Sequence, residues 1–392
     1  MLHRFELHCF ILAAVLGSVD AAPPAALPPA DTELTTIAFG SCNREDRPQS
    51  FWPIIADADP QLCLLIGDNV YADSRPNEQG RMVAMEPRNA AEIREAYDEL
   101  ESSEQWKTFR STVPILATWD DHDYGLNDAG REWHLKEESK EILLDFVDEP
   151  ADSSRRAREG VHHSWTFGPD GRRVQVILLD TRWFRDPLLP KINDQAPGRY
   201  RQNSDPESTI LGTDQWKWLE KTLNEPADLR IIGSSVQVVP WEHGWECWGN
   251  FPHERRRLFD AIARSKAEGV VFISGDRHLV EVSCTRGEDG IPVPYPLWDF
   301  TSSGLNEPQS VRVTEPNLFR TGPSLREANF GLLRIDWEAP TGPVVTFEAR
   351  DDEDRILMAQ AVELSSLRPS VHAVDPPPEA RDGVPGADAR DR

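Results

Sequence analysis

Four short clusters carry the residues of this chain best suited to chemistry: Phe39-Gly40-Ser41-Cys42-Asn43, Gly67-Asp68-Asn69-Val70-Tyr71, Trp119-Asp120-Asp121-His122-Asp123 and Gly275-Asp276-Arg277-His278. Together they offer a thiol, a phenol, carboxylates and imidazoles. Singly, each is weak. Gly-Asp after an apolar run is an ordinary turn, an acidic triplet is an ordinary solvated loop, and a lone cysteine is ordinary core. As an ordered set they describe one polynuclear metal centre built from separate loops. Asp68 projects from a turn at Gly67 and is placed to bridge two ions. Tyr71 reaches the same ion if the chain turns once. Thiolate and phenolate suit a high-valent ion such as ferric iron, whereas carboxylate and amide oxygens suit a harder divalent ion. Two ions about 3.5–4 Å apart can clamp a phosphoryl group and hold a nucleophilic hydroxide. His122 directly follows Asp121, so the natural division gives Asp121 to a metal and His122 to the substrate, as an acid for a leaving oxygen. Asp276 and His278 flank Arg277. In an extended segment their side chains share a face, one for each ion.

These residues need rigid elements behind them. Apolar, β-branched runs at 37–40, 62–67, 114–119, 174–180, 230–239, 270–275, 297–302, 332–337 and 344–348 read as buried strands. Amphipathic stretches at 90–109, 133–146, 213–223 and 252–264 read as helices between them. Such alternation predicts an α/β fold, with the strands after Val293 forming a largely antiparallel second sheet. Cys42, Asp68, Asp121 and Asp276 each fall just past a strand run, where ligands bind in α/β sheets.

The ends of the chain differ from its middle. Residues 1–22 have one early arginine, a short apolar core and small residues before Ala22, the pattern of a secretory signal peptide, so export to the periplasm or medium is expected. Residues 23–34 read as a Pro/Ala linker, 35–366 as one main domain, and 367–392 as a disordered acidic Pro-rich tail. No segment is long and apolar enough to span a bilayer. Lys+Arg total 42 against Asp+Glu 67, a net charge of −25, which argues against a nucleic-acid or anionic-membrane surface. The same field repels a phosphate ester, so any anion site must be made locally positive, as bound cations do. In an exported protein Cys247 and Cys284 could form a disulfide, while Cys63 sits in a strand-like run and reads as core.

The order of the four clusters resembles the alkaline phosphatase D (PhoD-like) family of metallophosphoesterases. The stretch Ser234-Ser235-Val236-Gln237-Val238, running on to Trp241-Glu242-His243-Gly244-Trp245-Glu246, is similar to a branch of that family, and the resemblance covers roughly residues 36–306. It implies a four-layer α/β/β/α metallophosphatase sandwich. It also implies a dinuclear centre of ferric iron and a divalent ion, calcium in the best-described relatives. Carried over by position, Cys42, Asp68, Tyr71 and His278 bind iron, Asp68 bridges, and Asp121 and Asp276 hold the second ion. His122 matches the non-ligand histidine. Hydroxide held by the metals then attacks a phosphomonoester or phosphodiester. The wider superfamily places one more histidine ligand after a middle strand. This chain has Ser235-Val236-Gln237 there, leaving Gln237 or Asn127 as the replacement. Arg277, Arg182, Arg185 and the 241–248 loop are candidates for the substrate pocket, with an ordinary surface place as the alternative.

Two other readings compete. A metallophosphatase-like binding protein without catalysis accommodates the absent histidine but not the retained Asp68 and His122. A calcium-stabilised structural protein leaves Cys42, Tyr71 and His278 unexplained, since calcium prefers oxygen ligands.

Overall fold

The computed structural model describes residues 22–309 and 315–369. Alternation along the first strands decides which layer each side chain enters. In β1 (Thr36–Gly40), Ile37 and Phe39 join one hydrophobic core and Ala38 joins another. The helix α1 (Phe51–Asp57) leads to β2 (Leu62–Ile66), where Leu62, Leu64 and Ile66 face the first core and Cys63 and Leu65 the second. A small hairpin follows, β3 (Ser74–Pro76) and β4 (Met82–Ala84), then helices α2 (Ala90–Ser102) and α3 (Glu104–Thr112). After β5 (Ile115–Thr118) come the single turn α4 (Asp121–Tyr124) and α5 (Lys136–Phe146). The middle of the chain gives β6 (His163–Phe167), β7 (Val174–Leu178), the short pair β8 (Leu189–Pro190) and β9 (Tyr200–Arg201), α6 (Gly212–Thr222) and β10 (Leu229–Ser234). The rest is α7 (Pro252–Ser265), β11 (Val270–Ser274), β12 (Val280–Thr285), β13 (Leu297–Ser302), β14 (Phe330–Asp336), β15 (Val344–Arg350) and β16 (Ile356–Glu363).

The strands form two six-stranded sheets, ordered β16-β15-β14-β1-β2-β5 and β12-β13-β11-β10-β7-β6. In the first, β1, β2 and β5 are parallel and β14 runs antiparallel to β1. In the second, β7, β10, β11 and β13 are parallel, flanked by antiparallel β6 and β12. The sheets share a core. Phe300 of β13 stacks on Phe347 of β15 at 5.0 Å between ring centroids, and burying each such ring contributes roughly 1.5–3 kcal/mol. Helices α1, α2, α3 and α5 cover the outer face of the first sheet, and α6 and α7 pack on the second. The expected four-layer α/β/β/α sandwich is therefore the fold.

Several expectations need correction. The late strands do not make a sheet of their own. β13 joins the second sheet parallel to β11, while β14, β15 and β16 extend the first from the free edge of β1. The 90–109 helix is two helices, because Ser103 ends α2 and caps α3, accepting Trp106 N–H through its hydroxyl. Of the 230–239 run only 230–234 is strand, in β10. The Pro/Ala stretch is not a free tether: Ala25 N–H donates to Arg110 O at 2.8 Å and Leu34 is fully buried. Leu367, expected in the tail, is also fully buried, and its carbonyl accepts Gly269 N–H. Cys247 and Cys284, which could have paired, are both free and buried, one in the turn before residues Trp248–Asn250 and the other on β12. The expected signal sequence, except Ala22, and residues 370–392 lie outside the described residues. Among those described, no helix is long and apolar enough to cross a membrane.

Candidate metal centre

The loops after β1, β2, β5, β11 and β13 meet at the carboxyl ends of the parallel strands, where both sheets contribute. Their backbones are bent hard to do so. Nine described non-glycine residues have left-handed φ, and five of them are Cys42 (60°), Asp68 (50°), Asp128 (57°), Asp276 (65°) and His278 (55°). Each costs on the order of 1–3 kcal/mol in isolation, strain of the kind that clusters at functional sites. Two glycines make the approach possible. A Cβ on Gly67 would lie 2.5 Å from Asp120 Cβ, and one on Gly275 would lie 2.5 Å from Ser41 Oγ. Asp276 and His278 are therefore brought inward by left-handed turns, not by the extended alternation expected from their spacing.

Three groups of donor atoms result, each with all its atoms within 4.8 Å of one another: Cys42–Asp68–His278, Asp68–Asp121–His122 and Asp121–Asp128–Glu246. Asp68 belongs to the first two and Asp121 to the last two. In the first group Cys42 Sγ lies 3.2 Å from Asp68 Oδ2. Tyr71 joins it, its hydroxyl 3.4 Å from Asp68 Oδ2 and 3.5 Å from His278 Nε2. His278 Nδ1 is held by Glu307 O. In the second group, His122 Nδ1 meets the buried Asp73 at 2.6 Å, and the ring stacks on Tyr71 at 4.2 Å. Asp121 accepts the backbone N–H groups of His122 and Asp128 at 2.8 and 2.7 Å.

The electrostatics describe a centre short of positive charge. Burial, then the charges of Cys42, Asp121, Asp120 and Asp123, push Asp68 well above the carboxylate range. Burial likewise raises Asp120 and Asp276, and takes Glu246 up to about 8 despite Arg182 and Arg185. Burial and the charges of Cys42 and Asp68 drive Tyr71 well above its usual value. Burial opposes ionisation of Cys42 too, but the charge of His278 and hydrogen bonds from His278, Ser303 and Ser41 bring it down to about 7. So many buried acids around so few cationic side chains fit a site for bound cations: soft donors at one end, oxygen donors at the other.

Not every expected residue converges. Asp276 belongs to none of the three groups; it sits near enough to feel the charges of Asp121 and Asp128, and faces Arg277 at 3.4 Å. Gln237 is buried and donates to Thr301 Oγ1 at 2.8 Å and Glu281 at 3.4 Å, neither of them in the cluster. Asn127 reaches the third group, donating to Asp128 Oδ2 at 2.6 Å. Arg277 pairs with Glu315 and lies over Trp245, 5.0 Å from its centroid. Arg182 and Arg185 are neither surface nor pocket. They are fully buried against Asp120 and Glu246, with Arg182 Nε 2.8 Å from Asp120 Oδ1 and Arg185 Nε 3.0 Å from Glu246 Oε1. Trp248 is core, donating to Ser234 Oγ at 3.0 Å. Sequence reasoning missed Asp73, Asp128, Glu246 and Ser303. Each but Ser303 had a nearby signal: Asp73 lies two residues past Tyr71, Asp128 follows Asn127, and Glu246 closes the 241–246 stretch.

Comparison with known proteins agrees with this geometry. The family model described as PhoD-like phosphatase matches residues 37–318. The chain belongs to that family. It is 25% identical over 280 residues to alkaline phosphatase D of Bacillus subtilis (strain 168), a match spanning 64% of this chain and 47% of the relative. The match thus spans about half the relative's length. A solved structure described as that of PhoD superimposes with a TM-score of 0.66 at 18% identity, covering 87% of this chain and 72% of the other. That likeness establishes the PhoD-like fold, and the family resemblance read from the four clusters is borne out.

Proposed function

We propose that the protein is a metal-dependent phosphoric ester hydrolase with a dinuclear centre, ferric iron on the Cys42 side and a divalent ion, calcium, on the Asp121 side. The observation that carries this reading is the double membership of Asp68 in a thiolate–imidazole group and a carboxylate group. Cys42, Asp68, Tyr71 and His278 would hold the first ion. Asp68 and Asp121 would hold the second, with Asp276 close by. Asp128, Glu246 and Asn127 would supply oxygen on that side, since Gln237 points away to Thr301 and Glu281.

Bound cations supply positive charge to phosphate oxygens and acidify water for attack on phosphorus. The chain's own residues do the rest. Burial keeps bulk water from the carboxylates and strengthens every charge interaction at the site. Asp73 holds His122 through Nδ1, which leaves Nε2 as the atom for proton donation to the departing oxygen. The substrate is a phosphate ester, monoester or diester. Metal analysis, a visible spectrum and paired assays on aryl monoester and diester test the proposal. About one iron per chain with a thiolate or tyrosinate band is expected, together with turnover of at least one ester. A colourless protein holding calcium alone would overturn the iron assignment. Fully loaded protein that hydrolyses neither ester would overturn the hydrolase reading.

A further inference from the structure

We infer that Ser303 is a positioning residue for the Cys42 thiolate, and that its hydroxyl hydrogen bond sets how strongly that sulfur donates to a bound metal ion. The inference rests on the metal-centre reading above. Ser303 directly follows β13 and is fully buried. Its Oγ accepts the backbone N–H of His278 at 2.8 Å and lies 3.0 Å from Cys42 Sγ. A serine hydroxyl carries one proton, and a thiolate ligand has none to give. Against a thiolate, which can only accept, Ser303 is the donor in the contact with sulfur. His278, which also bonds this sulfur, would turn its ring to the ion in the metal-bound reading; the remaining polar neighbours act less. Asp68 Oδ2 at 3.2 Å has no proton to offer when ionised, and Ser41 Oγ stands off at 3.5 Å.

The hydroxyl is also held still. Ser303 N–H donates to Leu279 O at 3.1 Å, and Asn329 Nδ2 donates to Ser303 O at 2.8 Å. One side chain just past β13 thus ties the loop after β1, through sulfur, to the loop after β11, through the His278 backbone. Hydrogen bonds to a ligating sulfur withdraw electron density from it and tune the potential of the metal it holds.

The test compares the native protein with Ser303→Ala and Ser303→Thr at matched metal content, loaded with iron and, separately, with cobalt(II) as a probe. Removing the hydroxyl should leave a more electron-rich sulfur. The thiolate-to-metal charge-transfer band of Ser303→Ala should move to longer wavelength in both metals, and its iron reduction midpoint should fall. Ser303→Thr, which keeps the hydroxyl, should restore both. Coincident bands in native and Ser303→Ala protein overturn the inference. If Ser303→Ala fails to take up metal, Ser303→Cys keeps a weaker donor in place. A smaller shift in the same direction then supports the inference, and none overturns it. A native protein with no thiolate band in either metal overturns the Cys42 ligand assignment itself, which is a distinct failure.

Discussion

Asp73→Asn isolates the role of His122. The Asp73 carboxylate is fully buried, meets His122 Nδ1 at 2.6 Å and accepts Asn127 N–H at 2.8 Å. Asparagine keeps the volume and the acceptor for Asn127 but removes the negative charge. A hydrogen bond to a charged group contributes about 1.5–3 kcal/mol, and each ~1.4 kcal/mol is tenfold in rate. The expected loss is therefore roughly 10–100-fold, the range seen when partners that orient a functional histidine are changed. It should depend on the leaving group. An alkoxide needs the proton and a nitrophenolate hardly does, so kcat should fall on an alkyl ester and change little on a nitrophenyl ester. The pH profile gives a second readout. Burial pulls His122 down, but the charges of Asp121 and Asp73 outweigh it and hold the ring up at about 10. A general acid works only while protonated, so removing one of those charges moves the alkaline limb to lower pH. Steady-state kinetics on both esters from neutral to strongly alkaline pH check this. Equal losses on the two esters, with an unmoved alkaline limb, would refute the proton-donor role.

Chelation and backbone substitution test the site's cost to the fold. Burial raises Asp123 to about 7, and raises Glu246 to about 8 against Arg182 and Arg185. Both stand above the ordinary carboxylate value near 4, so ionising them penalises the folded state increasingly from about pH 4 to about pH 8. His122, raised to about 10, and His278, raised to about 9, act in the same sense, since their contribution is lost as pH climbs past about 6.5. The chelated protein should melt at lower temperature at about pH 8 than at about pH 5. Calcium at a thousandfold excess over Kd should stabilise by about 4 kcal/mol, and should recover more of the loss at the higher pH. A chelated Tm that rises across this window would contradict the charge-deficit account. Gly67→Ala places a Cβ against Asp120 at a φ of 109°. It should cost about 1–3 kcal/mol in denaturant unfolding, and an unchanged midpoint would show that the two loops can part freely.

What could be read in advance was local. Cys42, Asp68, Tyr71, Asp121, His122 and His278 announce themselves because each follows an apolar run, and the end of a buried parallel strand is where such side chains gather. Asp128 and Glu246 carry no such mark. They enter the centre only because α4 ends just after Tyr124 and because buried Arg182 and Arg185 draw the 241–246 loop inward. Ser303 is one serine among many until β13 is placed beside β11. Strand partnership failed for a similar reason: nothing in residues 330–336 says that their neighbour is β1, some three hundred positions earlier. The break at Ser103 was legible, since a serine three residues before Trp106 is a helix-start signal set inside an otherwise helical pattern.

The centre takes Cys42, Asp68 and Asp121 from loops of the first sheet, and His278 and Ser303 from loops of the second. An ion held there is a clasp between two halves of the molecule. Loops of the first sheet alone bring Asp68, Asp121 and His122 together, whereas the Cys42–Asp68–His278 group is complete only when the loop after β11 joins them. An ion bound between Cys42 and His278 would therefore need both sheets in place.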